Sequence, residues 1–148
     1  MTDDPDAYML ARQKEICDLT NHYVGKIIPG HHVYQEFMDE CPNPSAWMTA
    51  RVVFNQNNLT RKRSLIELQL MVSNRFLVKD VHPRMRERLI VHEVAHLFDD
   101  LCGLVDTEYG DKYLCTNSHD SPMFLFIVER FGGWPHTTVS EYDLKRGE

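Results

Sequence analysis

Three features of the sequence predict an α+β domain. An N-terminal stretch spaces its apolar residues as a helix does, a β-branched and aromatic run and an alternating run flank an asparagine-rich turn, and two later stretches show helical spacing beside helix-opening prolines. The expected architecture is an N-terminal helix, a small antiparallel or mixed sheet with a hairpin, a helix carrying His-Glu-x-x-His, and a buried C-terminal helix. No repeat, low-complexity tract or Gly/Ser linker divides the chain. With 148 residues and 43% hydrophobic content, residues 1–148 are read as one domain around one core.

The first element, about Asp6 to Ile27, carries Leu10, Ile16, Leu19, Tyr23 and Ile27 at mixed three- and four-residue spacing and stops before Pro29-Gly30. A polar, turn-rich connection follows through Cys41-Pro42-Asn43-Pro44. Ala50 to Phe54 reads as a strand, Asn55 to Asn58 as a turn, and Ser64 to Met71 as a second strand that closes a hairpin. Val72 to Val78 fits either a strand or a short helix. Pro83 suits a first helical turn, Met85, Leu89, Val94, Leu97 and Leu101 follow a helical period, and Gly103 supplies the stop. Ser121-Pro122 opens the last helix, which runs through Met123 to Phe131 before Gly132-Gly133. Its apolarity on all sides predicts burial.

Net charge is −6, which argues against a generic nucleic-acid binder. The segment from Arg61 to Arg88 is nonetheless locally basic; a solvated face is the plain reading, and a surface for an acidic partner or a phosphate backbone is the other. Met1-Thr2-Asp3-Asp4-Pro5 is acidic and lacks an apolar run, and the longest apolar run, Met123 to Val128, is too short to span a bilayer. A soluble, cytoplasmic protein with no membrane contact is expected. The four cysteines, Cys17, Cys41, Cys102 and Cys115, form no C-x-x-C pair, so reduced and mostly buried thiols are expected.

The chemistry is concentrated in His92-Glu93-Val94-Ala95-His96. Residues four apart share a helix face, so two imidazoles can converge on one ion, and the geometry suits zinc. Glu93 is rotated about 100° around the helix from His92. Its carboxylate therefore reaches beside the ion, where it can act as general base. Zinc needs at least one more protein ligand. A continuation with Gly and a third His is absent, because Asp99 and Cys102 occupy those places. His119 is the preferred third ligand, since it just precedes the capped helix that starts at Ser121. Asp106, Glu108, Glu129 and His136 are rivals, whereas His22, His31, His32 and His82 suit surface or capping roles.

These residues resemble the SprT-like zinc metallopeptidases, small zincins in which a hairpin-bearing sheet precedes the His-Glu-x-x-His helix and a downstream His completes the site. The resemblance covers roughly Ala50 to Phe131, through Ser64-Leu65-Ile66-Glu67-Leu68, Leu89-Ile90-Val91-His92-Glu93-Val94-Ala95-His96 and His119-Asp120-Ser121-Pro122-Met123-Phe124. Asp120 stands where the family usually has Gly, and the aromatic at Phe124 falls one place late. The resemblance implies a minimal zincin-like domain, with His92, His96 and His119 as zinc ligands and Glu93 as the catalytic carboxylate.

The expected activity is hydrolysis of peptide bonds in a protein or peptide substrate by metal-activated water, with Glu93 as general base. Tyr109, Tyr113 and His136 are candidate oxyanion donors. A competing reading is a zinc-stabilised, non-catalytic binding module that works through a partner surface, and a weaker one is a metal-dependent hydrolase of another substrate. Substrate identity and oligomeric state are not legible in the sequence.

Overall fold

The computed structural model describes residues 5–43, 46–56, 59–60, 63–103, 113–114 and 119–146. In chain order they form helix α1 (Pro5–Ile27), strands β1 (Val33–Met38), β2 (Met48–Gln56) and β3 (Arg63–Ser73), helices α2 (Asn74–Leu77) and α3 (Pro83–Gly103), strand β4 (Tyr113–Leu114), and helices α4 (Pro122–Phe131) and α5 (Glu141–Arg146). The fold is α+β, as expected.

The predicted hairpin is present as the antiparallel pair β2–β3, with an irregularity between Val53 and Phe54. The sheet is mixed, in the order β1-β3-β2-β4, because β1 joins β3 in parallel and the two-residue β4 joins β2 antiparallel at Val52 and Val53. Ala50, Val52 and Phe54 on β2 and Leu68, Leu70 and Val72 on β3 point to one face and are buried. This is the period-2 pattern of a sheet covered on one side.

That covering is chiefly α3, whose Met85, Ile90, Val91, Val94, Ala95 and Leu97 are all sealed from solvent. The helix starts where His82 Nδ1 accepts a hydrogen bond from the Arg84 backbone N–H at 3.1 Å, which satisfies one free first-turn donor. His82 is thus a capping histidine, as expected. On the other flank α1 packs through Ile16, Tyr23, Val24 and Ile27. The Tyr23 hydroxyl donates to the Glu87 carboxylate, and Arg86 donates from Nε to Glu15 at 2.6 Å.

Several expectations need correction. Leu10 is exposed, because the buried stripe of α1 runs through Ile16, Thr20, Tyr23 and Val24 instead. β1 lies in what was read as connection; its polar Gln35 and Glu36 disguise a sheet edge that needs only alternate positions buried. The ambiguous stretch divides, with Val72 and Ser73 ending β3 and Ser73 then capping the short α2 through its hydroxyl. α4 is not buried all round: Phe124, Ile127 and Val128 face the core, whereas Met123, Leu125 and Phe126 are exposed, Phe126 to 58%. Nor is it the last helix, since α5 follows and seats Leu144 in the core.

The basic segment is dispersed among the described residues. Arg86 is buried, Arg88 stacks on Trp134, and Lys79 pairs with Glu141. Cys17, Cys41 and Cys102 are free thiols, but only Cys41 is buried and Cys102 is exposed; Cys115 lies outside the described residues. No helix among the described residues is long and apolar enough to cross a membrane.

Candidate metal centre

His92 and His96 lie one turn apart on α3, and His119 approaches them from the turn that leads into α4. The three Nε2 atoms form a nearly equilateral triangle, 3.2 Å from His92 to His96, 3.3 Å from His96 to His119 and 3.2 Å from His119 to His92. Nitrogens held about 2.0–2.1 Å from one tetrahedral ion stand about 3.3–3.4 Å apart. The triangle therefore fits a small divalent cation with three imidazole ligands. No Cys, Asp or Glu joins the cluster among the described residues.

Each ring is oriented by a different neighbour. His92 Nδ1 lies 2.6 Å from the carbonyl oxygen of Trp134, which can only accept, so Nδ1 carries the proton and Nε2 offers its lone pair to the triangle. The His96 ring stacks on Phe124 at 4.3 Å and 18°, and its buried Nδ1 has no hydrogen-bond partner among the described residues. The His92 and His119 rings meet Phe124 edge-on, at 5.0 and 5.3 Å. Phe124, fully buried in the first turn of α4, is thus the floor on which all three imidazoles rest. The turn carrying His119 is tied to α3 by the Ser121 hydroxyl, which donates to Asp99 Oδ1 at 2.6 Å.

The Trp134 carbonyl is delivered by a strap across α3. Gly132 ends α4 in the left-handed region at φ 73°, which reverses the chain. Gly133 then passes so close to α3 that an added Cβ would sit 2.8 Å from Val91 Cγ1. Arg88 fastens the strap at both levels: its backbone oxygen accepts from Trp134 N–H at 3.0 Å, and its guanidinium donates to the carbonyls of Gly132 and Gly133.

Burial sets the electrostatics. Desolvation pushes His92 down to about 4 against the Trp134 hydrogen bond, with the His119 charge adding to the fall. Desolvation, then the neighbouring His92 and His119, takes His96 down to about 3. Both rings are neutral, as metal ligands must be. Glu93 moves the other way, up to about 8, because desolvation outweighs the hydrogen bond that its carboxylate accepts from Ala50 N–H. Glu93 is half-buried and lines the cleft.

That cleft, about 560 Å³, runs between Pro42, Asn43 and residues 46–50 on one side and the segment from Trp134 to Val139 on the other, with α3 along its floor. No protein-family model, curated protein or solved structure matches the chain.

Among the rival ligands, Glu129 is exposed on α4 and outside the cluster. His136 is exposed and lines the cleft without joining the triangle. Asp106, Glu108 and Tyr109 lie outside the described residues, as does the side chain of Tyr113. His22, His31 and His32 are exposed, in keeping with surface roles. The sequence reading missed the Trp134 carbonyl, since a backbone acceptor 42 positions away leaves no residue signature. The Gly132-Gly133 pair is the one hint of it, because paired glycines allow close backbone approach.

Proposed function

We propose that this chain is a zinc-dependent metallopeptidase of zincin type, akin to the SprT-like enzymes, that hydrolyses peptide bonds with Glu93 as general base. The observation that carries the reading is the triangle of Nε2 atoms opening on the same cleft as the Glu93 carboxyl. His92, His96 and His119 would hold the metal, and three neutral imidazoles suit zinc better than the hard, oxygen-seeking cations. Zinc in such a site supplies Lewis acidity that polarises a carbonyl and brings the pKa of water towards neutrality.

The chain's own residues supply the rest. The Glu93 carboxylate takes a proton from the attacking water and passes it to the departing amine. Ala50 N–H fixes its orientation beside the histidines. The Trp134 carbonyl keeps His92 in one tautomer, and Phe124 keeps the three rings converged. A structural zinc site closes all four positions with protein ligands, whereas the described residues supply three. The free thiols of Cys17, Cys41 and Cys102 accord with a reducing compartment such as the cytoplasm.

The exposed Met123, Leu125 and Phe126 on α4 favour a second reading, a zinc-stabilised binding module acting through a partner surface. One experiment separates the two. Glu93→Gln should retain one zinc and the fold while peptide cleavage falls about 10²–10⁴-fold, and His92→Ala should lose the metal. Equal cleavage by wild type and the Gln variant would remove Glu93 from the chemistry.

A further inference from the structure

We infer that the cleft selects a short, uncharged peptide segment with apolar side chains. This inference rests on the peptidase reading and narrows its substrate class.

Apart from the three clustered histidines, Glu93 and His136, no ionisable side chain lines the cleft among the described residues. The walls are built of Trp47 and Met48 on one side and Leu89, Trp134 and Val139 on the other, with threonines and an asparagine between them. Cations do lie near, but they are turned onto the indoles. Arg75 and Lys79 stand 5.6 and 5.4 Å from the Trp47 ring, and Arg88 stands 5.1 Å from the Trp134 ring. None of the three lines the cleft. Trp47 is half-buried at the cleft, and Trp134, only 7% exposed, contributes little surface to it.

A volume of about 560 Å³ takes a few residues of extended chain. A Leu or Phe side chain entering it exchanges water for apolar wall. Away from the histidine triangle and Glu93, a Lys, Arg, Asp or Glu side chain gives up its hydration and meets no opposite charge among the described lining residues. Discrimination against charge is thus the expected property.

The test uses the full-length Glu93→Gln chain saturated with zinc, so that peptides bind without being cut. The probes are a hexapeptide blocked at both ends with adjacent Leu and Phe at its centre, and two counterparts with Glu-Glu or Lys-Lys there. Both tryptophans of the chain line the cleft, so intrinsic fluorescence reports occupancy directly. The apolar peptide should bind about tenfold tighter or more than either counterpart. Thr138 is exposed on the cleft wall, and its backbone carbonyl accepts from Trp134 Nε1 at 3.1 Å. Thr138→Lys should therefore leave the circular dichroism spectrum unchanged, tighten the Glu-Glu peptide and weaken the Lys-Lys peptide. Equal affinities, tighter binding of a charged peptide, or no fluorescence response to any of the three overturns the inference. If the apolar preference holds while zinc-loaded wild type cuts none of the peptides, the subsite stands and the peptidase reading fails. If wild type cuts all three equally well, the reverse is true.

Discussion

His92 Nδ1 and the carbonyl oxygen of Trp134 lie 2.6 Å apart across 42 positions of chain. The contact joins the centre of α3 to the strap that follows α4, so the direction of one imidazole depends on how a distant glycine turn is seated. Nothing in His-Glu-x-x-His itself chooses between the two ring nitrogens. The strap makes that choice.

Gly133→Ala should show this coupling. The new methyl would meet Val91 Cγ1 at 2.8 Å, and Val91 is fully buried with little room to move. The strap must lift, taking the Trp134 carbonyl from His92. Zinc affinity by chelator competition should fall about 10–100-fold, the usual cost of losing a partner that orients a ligand. Thermal unfolding should show a loss of about 1–3 kcal/mol. Adding Val91→Ala should restore much of the affinity; no recovery would mean that the strap does not act through Val91.

The hydrogen bond from Ser121 to Asp99 should hold His119 in reach of α3. Ser121→Ala is expected to weaken zinc binding several-fold and to leave peptide spectra of the fold unchanged. A double-mutant cycle with Asp99→Ala should give a coupling of about 1 kcal/mol, since the pair is only part-buried. Independent effects of the two substitutions would show that the latch is idle.

Zinc should stabilise the folded chain by linkage, since three converged imidazoles exist only when α3 and the His119 turn are both in place. At a free concentration about 1,000 times the Kd the gain is about 4 kcal/mol, or about 10 °C in Tm for a chain of this length. Calorimetry with and without a chelator measures it. His119→Ala should abolish most of the shift, and an unchanged shift in that variant would assign the third ligand elsewhere.

Tyr23 supplies a pH signature of the α1–α3 contact. Burial, then the hydrogen bond to Glu87, raises its phenol from 10.0 to about 12. A folded pKa above the unfolded one means that the contribution is complete below pH 10 and is lost as pH climbs through 12. Wild type should therefore exceed Tyr23→Phe in urea midpoint near neutrality, by about 1 kcal/mol, and the margin should close between those two values. A margin that does not vary with pH would contradict the assignment.

The elements that could be read in advance were those with local causes. Pro83 and Ser121-Pro122 marked helix starts, a β-branched run and an alternating run marked the hairpin, and the four-residue spacing of His92 and His96 put both rings on one face. The third member was harder, yet His119 was reachable from its place before a helix start, although the Ser121 hydroxyl expected to cap that helix goes to Asp99 instead. The misses share another cause. β1 is a strand because β3 offers it a parallel edge, α4 is half-exposed because Phe124, Ile127, Val128 and Phe131 meet the core while Met123, Leu125 and Phe126 do not, and Leu10 lies off the buried stripe of α1.

By itself the sequence determined the α+β class, the hairpin, the helix that carries the two histidines and the identity of the groups able to hold an ion. These follow from periodicity, capping and side-chain chemistry, which act over a few residues. Only the tertiary structure decided which third histidine converges, that Phe124 supports the rings, that Trp134 sets the tautomer of His92 and that Glu93 sits in a desolvated recess. Each of those depends on the close approach of atoms far apart in the chain, fixed by how the α3, α4 and β2 surfaces pack together and not by any local pattern.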